Sequence, residues 1–159
     1  MISQWNNVVK VDDTVYHLGD LFMLYPSCSG IERALEIIEQ LNGTIIIIPG
    51  NHDIDLMEKL NKKELLPTSW SIIDEGNEAP GERLGTFEID FDAFVSWCSH
   101  KPLELYPDFI VGLHAHTHSK HKTNMSLGKT VIHVGVDAWD FTPVSIEQII
   151  KLISETSSL

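Results

Sequence analysis

Two kinds of apolar pattern alternate along the 159 residues. Short β-branched or aromatic-rich runs at Thr14–Leu18, Thr44–Pro49, Phe94–Cys98, Phe109–His114 and Thr130–Val136 have the length and composition of strands. Ile31, Ala34, Leu35, Ile38 and Leu41 fall on one helical face, and Ser29 with Glu32 has capping-box spacing ahead of them. Ser145 and Gln148 repeat the device before a second stripe, Ile146, Ile149, Ile150 and Ile153. Ile2, Trp5 and Val9 are also helically spaced, but no capping residue precedes them, which suggests that the chain begins inside an element. The Gly-rich, acidic segment Glu75–Asp92 predicts a loop or a weak hairpin. Strands alternating with helices early and clustering late predict one layered α/β domain, residues 1–159, with no linker to divide it.

Composition narrows the function classes. The chain is 43% hydrophobic and carries 23 acidic against 11 basic residues, a formal charge of -12. That balance argues against a broad nucleic-acid or anionic-membrane footprint, either of which needs clustered Lys and Arg. The longest aliphatic run, Ile45–Ile48, is far short of the roughly 18 residues of a membrane span. Two cysteines, Cys28 and Cys98, lack C-x-x-C spacing and are too few for a disulfide framework; with no secretory signal pattern at the start, a cytoplasmic location is expected. An acidic protein can still hold an anionic ligand through bound cations, and eight histidines beside many carboxylates make that chemistry plausible.

The polar residues that can ligate sit at the ends of the apolar runs. Leu18 leads into Gly19-Asp20, Ile45–Ile48 into Pro49-Gly50-Asn51-His52-Asp53, Phe94–Cys98 into Ser99-His100, and Phe109–Leu113 into His114-Ala115-His116-Thr117-His118. Ligand sites in layered α/β folds lie outside the carboxyl ends of strands, so four such exits could converge on one crevice. They deliver a carboxylate, an amide oxygen and several imidazoles but no thiolate, a donor set suited to Mn²⁺, Fe or Zn²⁺. On an extended segment His116 and His118 would point to the same side.

The ordered set Gly19-Asp20, Gly50-Asn51-His52-Asp53, His100 and Ala115-His116-Thr117-His118 resembles the calcineurin-like metallophosphoesterases. The flanking Asp13-Thr14-Val15-Tyr16-His17-Leu18 and Val136-Asp137-Ala138-Trp139-Asp140 are similar to small bacterial and phage members. The resemblance implies a four-layer α/β/β/α sandwich with a two-metal site that hydrolyses phosphodiesters or phosphomonoesters by metal-activated water. Asp20 would bridge the metals, Asn51, His100 and His116 would complete one site, and His118 would belong to the other. His52 would stabilise the transition state or protonate the leaving oxygen, with Asp53 orienting it. The implied cofactors are divalent ions, Mn²⁺ first, with Fe, Zn²⁺ or Ni²⁺ as alternatives. The implied partner is a small phosphoester, and a homo-oligomer is left open.

Two departures stand out. Ala115 replaces the family's glycine before the paired histidines, and no Asp-x-His precedes Gly19-Asp20. The second predicts a chain that lacks the family's first strand, being N-terminally truncated or starting at an internal methionine, and that holds one metal instead of two. Asp12, Asp13 and His17 are the nearby candidates for replacement, but they match family residues outside that motif. A non-catalytic metal- or phosphate-binding domain is therefore the alternative function. His17 and His114 are expected to pack near the site, His121 to be solvated, His133 and Cys98 to be structural, and Asp137 and Asp140 to serve turns.

Overall fold

The structure, a computed structural model, describes residues 1–52, 54–73, 86–101, 110–118, 122–126 and 129–156. Its contacts divide the chain into two compact units, Met1–Gly85 and Thr86–Leu159. The described residues hold two sheets and four α-helices, an α/β architecture as expected.

In the N-terminal unit, α1 (Ile2–Val8), β1 (Thr14–His17), α2 (Cys28–Ile38), β2 (Thr44–Ile47), α3 (Ile54–Lys62) and β3 (Trp70–Ile72) follow in order. The three strands form a parallel sheet ordered β1-β2-β3, with His17 opposite Ile47. Parallel strands joined by helices are covered on their faces, which is why β2 reads as an unbroken aliphatic run. Its Ile45 and Ile47 are completely buried among Ile38 of α2, Leu56, Met57 and Leu60 of α3, and Trp5 of α1. Helix α1 has no side-chain cap. It is tied instead to the segment after α2. The Trp5 indole donates to Asn42 O (2.9 Å), Asn42 N donates to Asn6 Oδ1 (3.0 Å), and the Asn6 amide donates to Gln40 O (2.7 Å). The cap of α2 is Ser27, whose hydroxyl accepts from Gly30 N at 3.1 Å, not Ser29. The helix starts one turn earlier than its apolar stripe, which places Ser29 and Glu32 inside it.

The C-terminal unit is a five-stranded mixed sheet. Its strands are β4 (Thr86–Asp90), β5 (Val95–Ser99), β6 (Val111–His114), β7 (Thr123–Ser126) and β8 (Lys129–His133), ordered β4-β5-β6-β8-β7. Strands β5, β6 and β8 run parallel, flanked by antiparallel β4 and β7. The hairpin of β4 and β5 occupies the end of the acidic segment; residues 75–85 lie outside the described residues. A 3₁₀ turn, Val136–Ala138, and helix α4 (Ile146–Thr156) complete the unit. The predicted capping box of α4 is present: Gln148 N donates to Ser145 Oγ (3.3 Å) and Ser145 N to Gln148 Oε1 (2.9 Å). No helix among the described residues is long and apolar enough to cross a membrane.

Candidate functional site

In each unit, neighbouring parallel strands end side by side, and the predicted ligands stand on the segments that leave them. In the N-terminal unit these are the exits of β1 and β2. Gly19 and Asp20 both have left-handed backbone, φ 86° and 56°. For Asp20 this costs on the order of 1–3 kcal/mol, the kind of strain that surrounding structure retains at functional sites. The turn folds the carboxylate back onto the exit of β2, where the His52 amide donates to Asp20 Oδ1 at 2.9 Å. Gly50 makes this approach possible, since a Cβ there would overlap Asp20 Oδ1 and the Asp20 amide. The need for glycine at 50 is thus close packing, not a positive φ. Asn51 and His52 form the exposed turn that follows, and Asp53 lies outside the described residues.

In the C-terminal unit the exits belong to β5 and β6, with Ser99 opposite His114 in the register. His100 is fully buried, and its Nε2 lies 3.0 Å from His116 Nδ1. Ala115 N donates to His100 O at 3.2 Å, which fixes the two exits to each other. Two nitrogens bound to one ion at about 2.1 Å stand roughly 3.0–3.4 Å apart, so the imidazole pair has a spacing that fits a shared first-row cation. The donor set also fits: oxygen and imidazole ligands without thiolate suit Mn²⁺, Fe and Zn²⁺ alike.

The expected extended geometry of His116 and His118 is not found. Both have left-handed backbone, φ 63° and 45°, and Thr117 N donates to Ala115 O at 2.7 Å in a tight turn. The turn sends them to different neighbours. His116 meets His100, whereas His118 Nδ1 stands 4.0 Å from Asp137 Oδ2. Strand alternation does not apply once β6 has ended at His114. Ala115 is not among the positive-φ residues, which explains how a methyl group is accommodated there.

Three further histidines of the described residues make ring contacts. The rings of His17 and Trp5 stack at 6.5 Å, and those of His114 and His133 lie 5.1 Å apart. Burial lowers the His114 pKa, opposed by its hydrogen bond to the Ala115 carbonyl. Asp13 serves a turn, its carboxylate accepting from Lys10 N at 2.8 Å. His121 lies outside the described residues. Asp137, assigned to turn chemistry from the sequence, faces both His118 and His133. The sequence signal for it was its place after the third parallel strand.

Comparison with known proteins gives a consistent picture. The family model described as calcineurin-like phosphoesterase matches residues 2–140. An uncharacterized protein of Methanocaldococcus jannaschii is 29% identical over 158 residues, covering 98% of this chain and 74% of its own length. The gene 66 protein of Mycobacterium phage L5 is 29% identical over 167 residues, covering 97% and 79%. A solved structure of a protein of unknown function from Aquifex aeolicus aligns with a TM-score of 0.64 and 26% identity, over 95% of this chain and 82% of that one.

Proposed function

The chain belongs to the calcineurin-like phosphoesterase family, and on that premise we propose that it hydrolyses a small phosphodiester or phosphomonoester with metal-activated water. Family membership makes the reaction class metal-dependent, and the match to residues 2–140 runs through both units, which supports one metallophosphoesterase domain. The observation that carries the proposal for this chain is the built state of its strand exits. Asp20, His116 and His118 all hold strained left-handed backbone, and the buried His100 meets His116 at 3.0 Å.

By the family resemblance, Asp20 would serve both cations, Asn51, His100 and His116 would complete one position, and His118 would serve the other. Bound divalent ions, Mn²⁺ first among them, would supply Lewis acidity, bringing the pKa of a water toward about 7 and neutralising the phosphoryl oxygens. The His52 amide and the space left by Gly50 hold the Asp20 carboxylate in one orientation. The His52 side chain is exposed and would give its proton to the departing oxygen, with Asp53 orienting it. The two free cysteines, one exposed and one buried, support a reducing, cytoplasmic location within the same proposal.

A second reading has one specific observation in its favour. The 159 residues contain no Asp-x-His, and this favours a metal- or phosphate-binding domain without turnover as the alternative. Hydrolysis of a chromogenic aryl phosphodiester, and of a dialkyl phosphodiester followed by its released products, with added Mn²⁺ separates the two. The proposal expects turnover that chelation abolishes, and a His52→Ala loss larger for the alkyl ester, whose poor leaving group needs the proton. A folded, Mn²⁺-loaded chain with no turnover on either ester would establish the binding domain instead.

A further inference from the structure

Asp137 stands at the third parallel exit of the C-terminal sheet. Strand β8 pairs with β6, His133 opposite His114, and leaves the sheet through Val134 and Gly135 into the 3₁₀ turn. From that turn Asp137 directs its two carboxylate oxygens to two histidines. Oδ2 lies 4.0 Å from His118 Nδ1, and Oδ1 lies 3.9 Å from His133 Nε2. The place is built for a carboxylate. A Cβ at Gly135 would come within 2.7 Å of His133 Nε2 and 2.8 Å of Asp137 Oδ1, so only glycine leaves room for the pair. Oδ2 is shielded from solvent and accepts no hydrogen bond among the described residues. A buried carboxylate oxygen in that state is costly unless a donor reaches it. Of the two rings that face the carboxylate, buried His133 stands at Oδ1, while His118 stands at Oδ2 with a side chain 76% exposed and free to close the remaining distance.

We infer that Asp137 is a positioning residue for His118: its Oδ2 accepts a hydrogen bond from Nδ1–H, which keeps the proton on Nδ1 and leaves Nε2 without hydrogen and able to bind a metal. The inference rests on the proposed assignment of His118 as a ligand. Its chemistry is general, because a ligating histidine needs one nitrogen without hydrogen, and a carboxylate on the other nitrogen fixes both tautomer and ring orientation. The left-handed backbone of His118 acquires a reason as well, since it turns the residue toward the exit of β8.

The test reads the tautomer first. Long-range ¹H–¹⁵N spectra of the metal-free protein at about pH 8, where imidazole is neutral, should show His118 protonated at Nδ1. Asp137→Ala should return it to the Nε2–H form that free imidazoles prefer and weaken Mn²⁺ binding about ten- to a hundredfold. Asp137→Asn, which keeps a carbonyl acceptor, should restore the tautomer in part. An Nε2–H tautomer at His118 in the unsubstituted protein overturns the inference with no variant needed. So does an Nδ1–H tautomer that survives Asp137→Ala. If the tautomer changes but Mn²⁺ affinity does not, the outcome of His118→Ala identifies the fault. Weaker binding in His118→Ala then refutes the orienting role alone, whereas unchanged binding refutes the assignment of His118 as a ligand and the inference with it.

Discussion

The two units spend their interiors differently. Among the described residues of the N-terminal unit every buried side chain is apolar, from Trp5 and Ile45 to Leu56 and Trp70. The C-terminal unit buries Ser96, Ser99, His100, His114, Thr130 and His133 beside its Ile, Val and Leu residues. Apolar packing needs only shape, while each buried polar group needs a partner. Several such partners are present: Ser96 donates to Val111 O at 3.1 Å, His114 to Ala115 O at 2.8 Å, and the Trp139 indole to the His133 backbone carbonyl at 2.8 Å. The difference separates two tasks. The N-terminal unit uses a dry core to hold one carboxylate on a strained turn, whereas the C-terminal unit carries imidazoles within the sheet end itself.

Four measurements sharpen or break this contrast. Burial pushes the Cys98 thiol up to about 12 from its ordinary 9.0, against a weaker opposing hydrogen bond from Ser96. At pH 8 its thiolate fraction then falls about a thousandfold below that of the unfolded chain, so alkylation of the native protein should be confined to the exposed Cys28. Equal labelling of both cysteines would mean that the interior of the C-terminal sheet is wet. Next in size, Leu56→Ala should cost about 2–5 kcal/mol in chemical denaturation, as core truncations do where packing cannot collapse. Gly50→Ala should leave the helical signal nearly intact but displace Asp20, lowering phosphoesterase turnover about a hundredfold, the scale of a 1 Å misplacement. Full activity would show that the Asp20 orientation is unimportant. Smallest is Ser96→Ala, worth about 1 kcal/mol for one hydrogen bond. A loss equal to that of Leu56→Ala would erase the distinction between the two interiors.

The elements legible in the sequence are those whose own residues specify them. Strands β1, β2, β5, β6 and β8 are apolar runs, and α2 and α4 carry long stripes, so each was placed to within a few residues. Elements specified by their neighbours were not foreseen. Helix α3 has only Leu56, Met57 and Leu60 to bury among charged residues. Strand β3 is three residues long and takes its conformation from pairing with β2, as β7 does from β8. The candidate site divides the same way. Residue type and position after a strand pointed to Asp20, Asn51, His52, His100, His116 and His118. Their conformations did not follow from type, because left-handed backbone at Asp20, His116 and His118 is imposed by tertiary contacts. The contact of Gly50 with Asp20 spans thirty residues, and that of His118 with Asp137 depends on strand order in the sheet.

The most direct test of the central claim measures bound Mn²⁺ and phosphodiester turnover on the same samples of the intact chain and of His116→Ala. Metal-dependent hydrolysis through the proposed ligands predicts that Mn²⁺ content and turnover fall together in the variant while the fold survives. A His116→Ala chain that keeps its full Mn²⁺ content and its turnover would contradict the account.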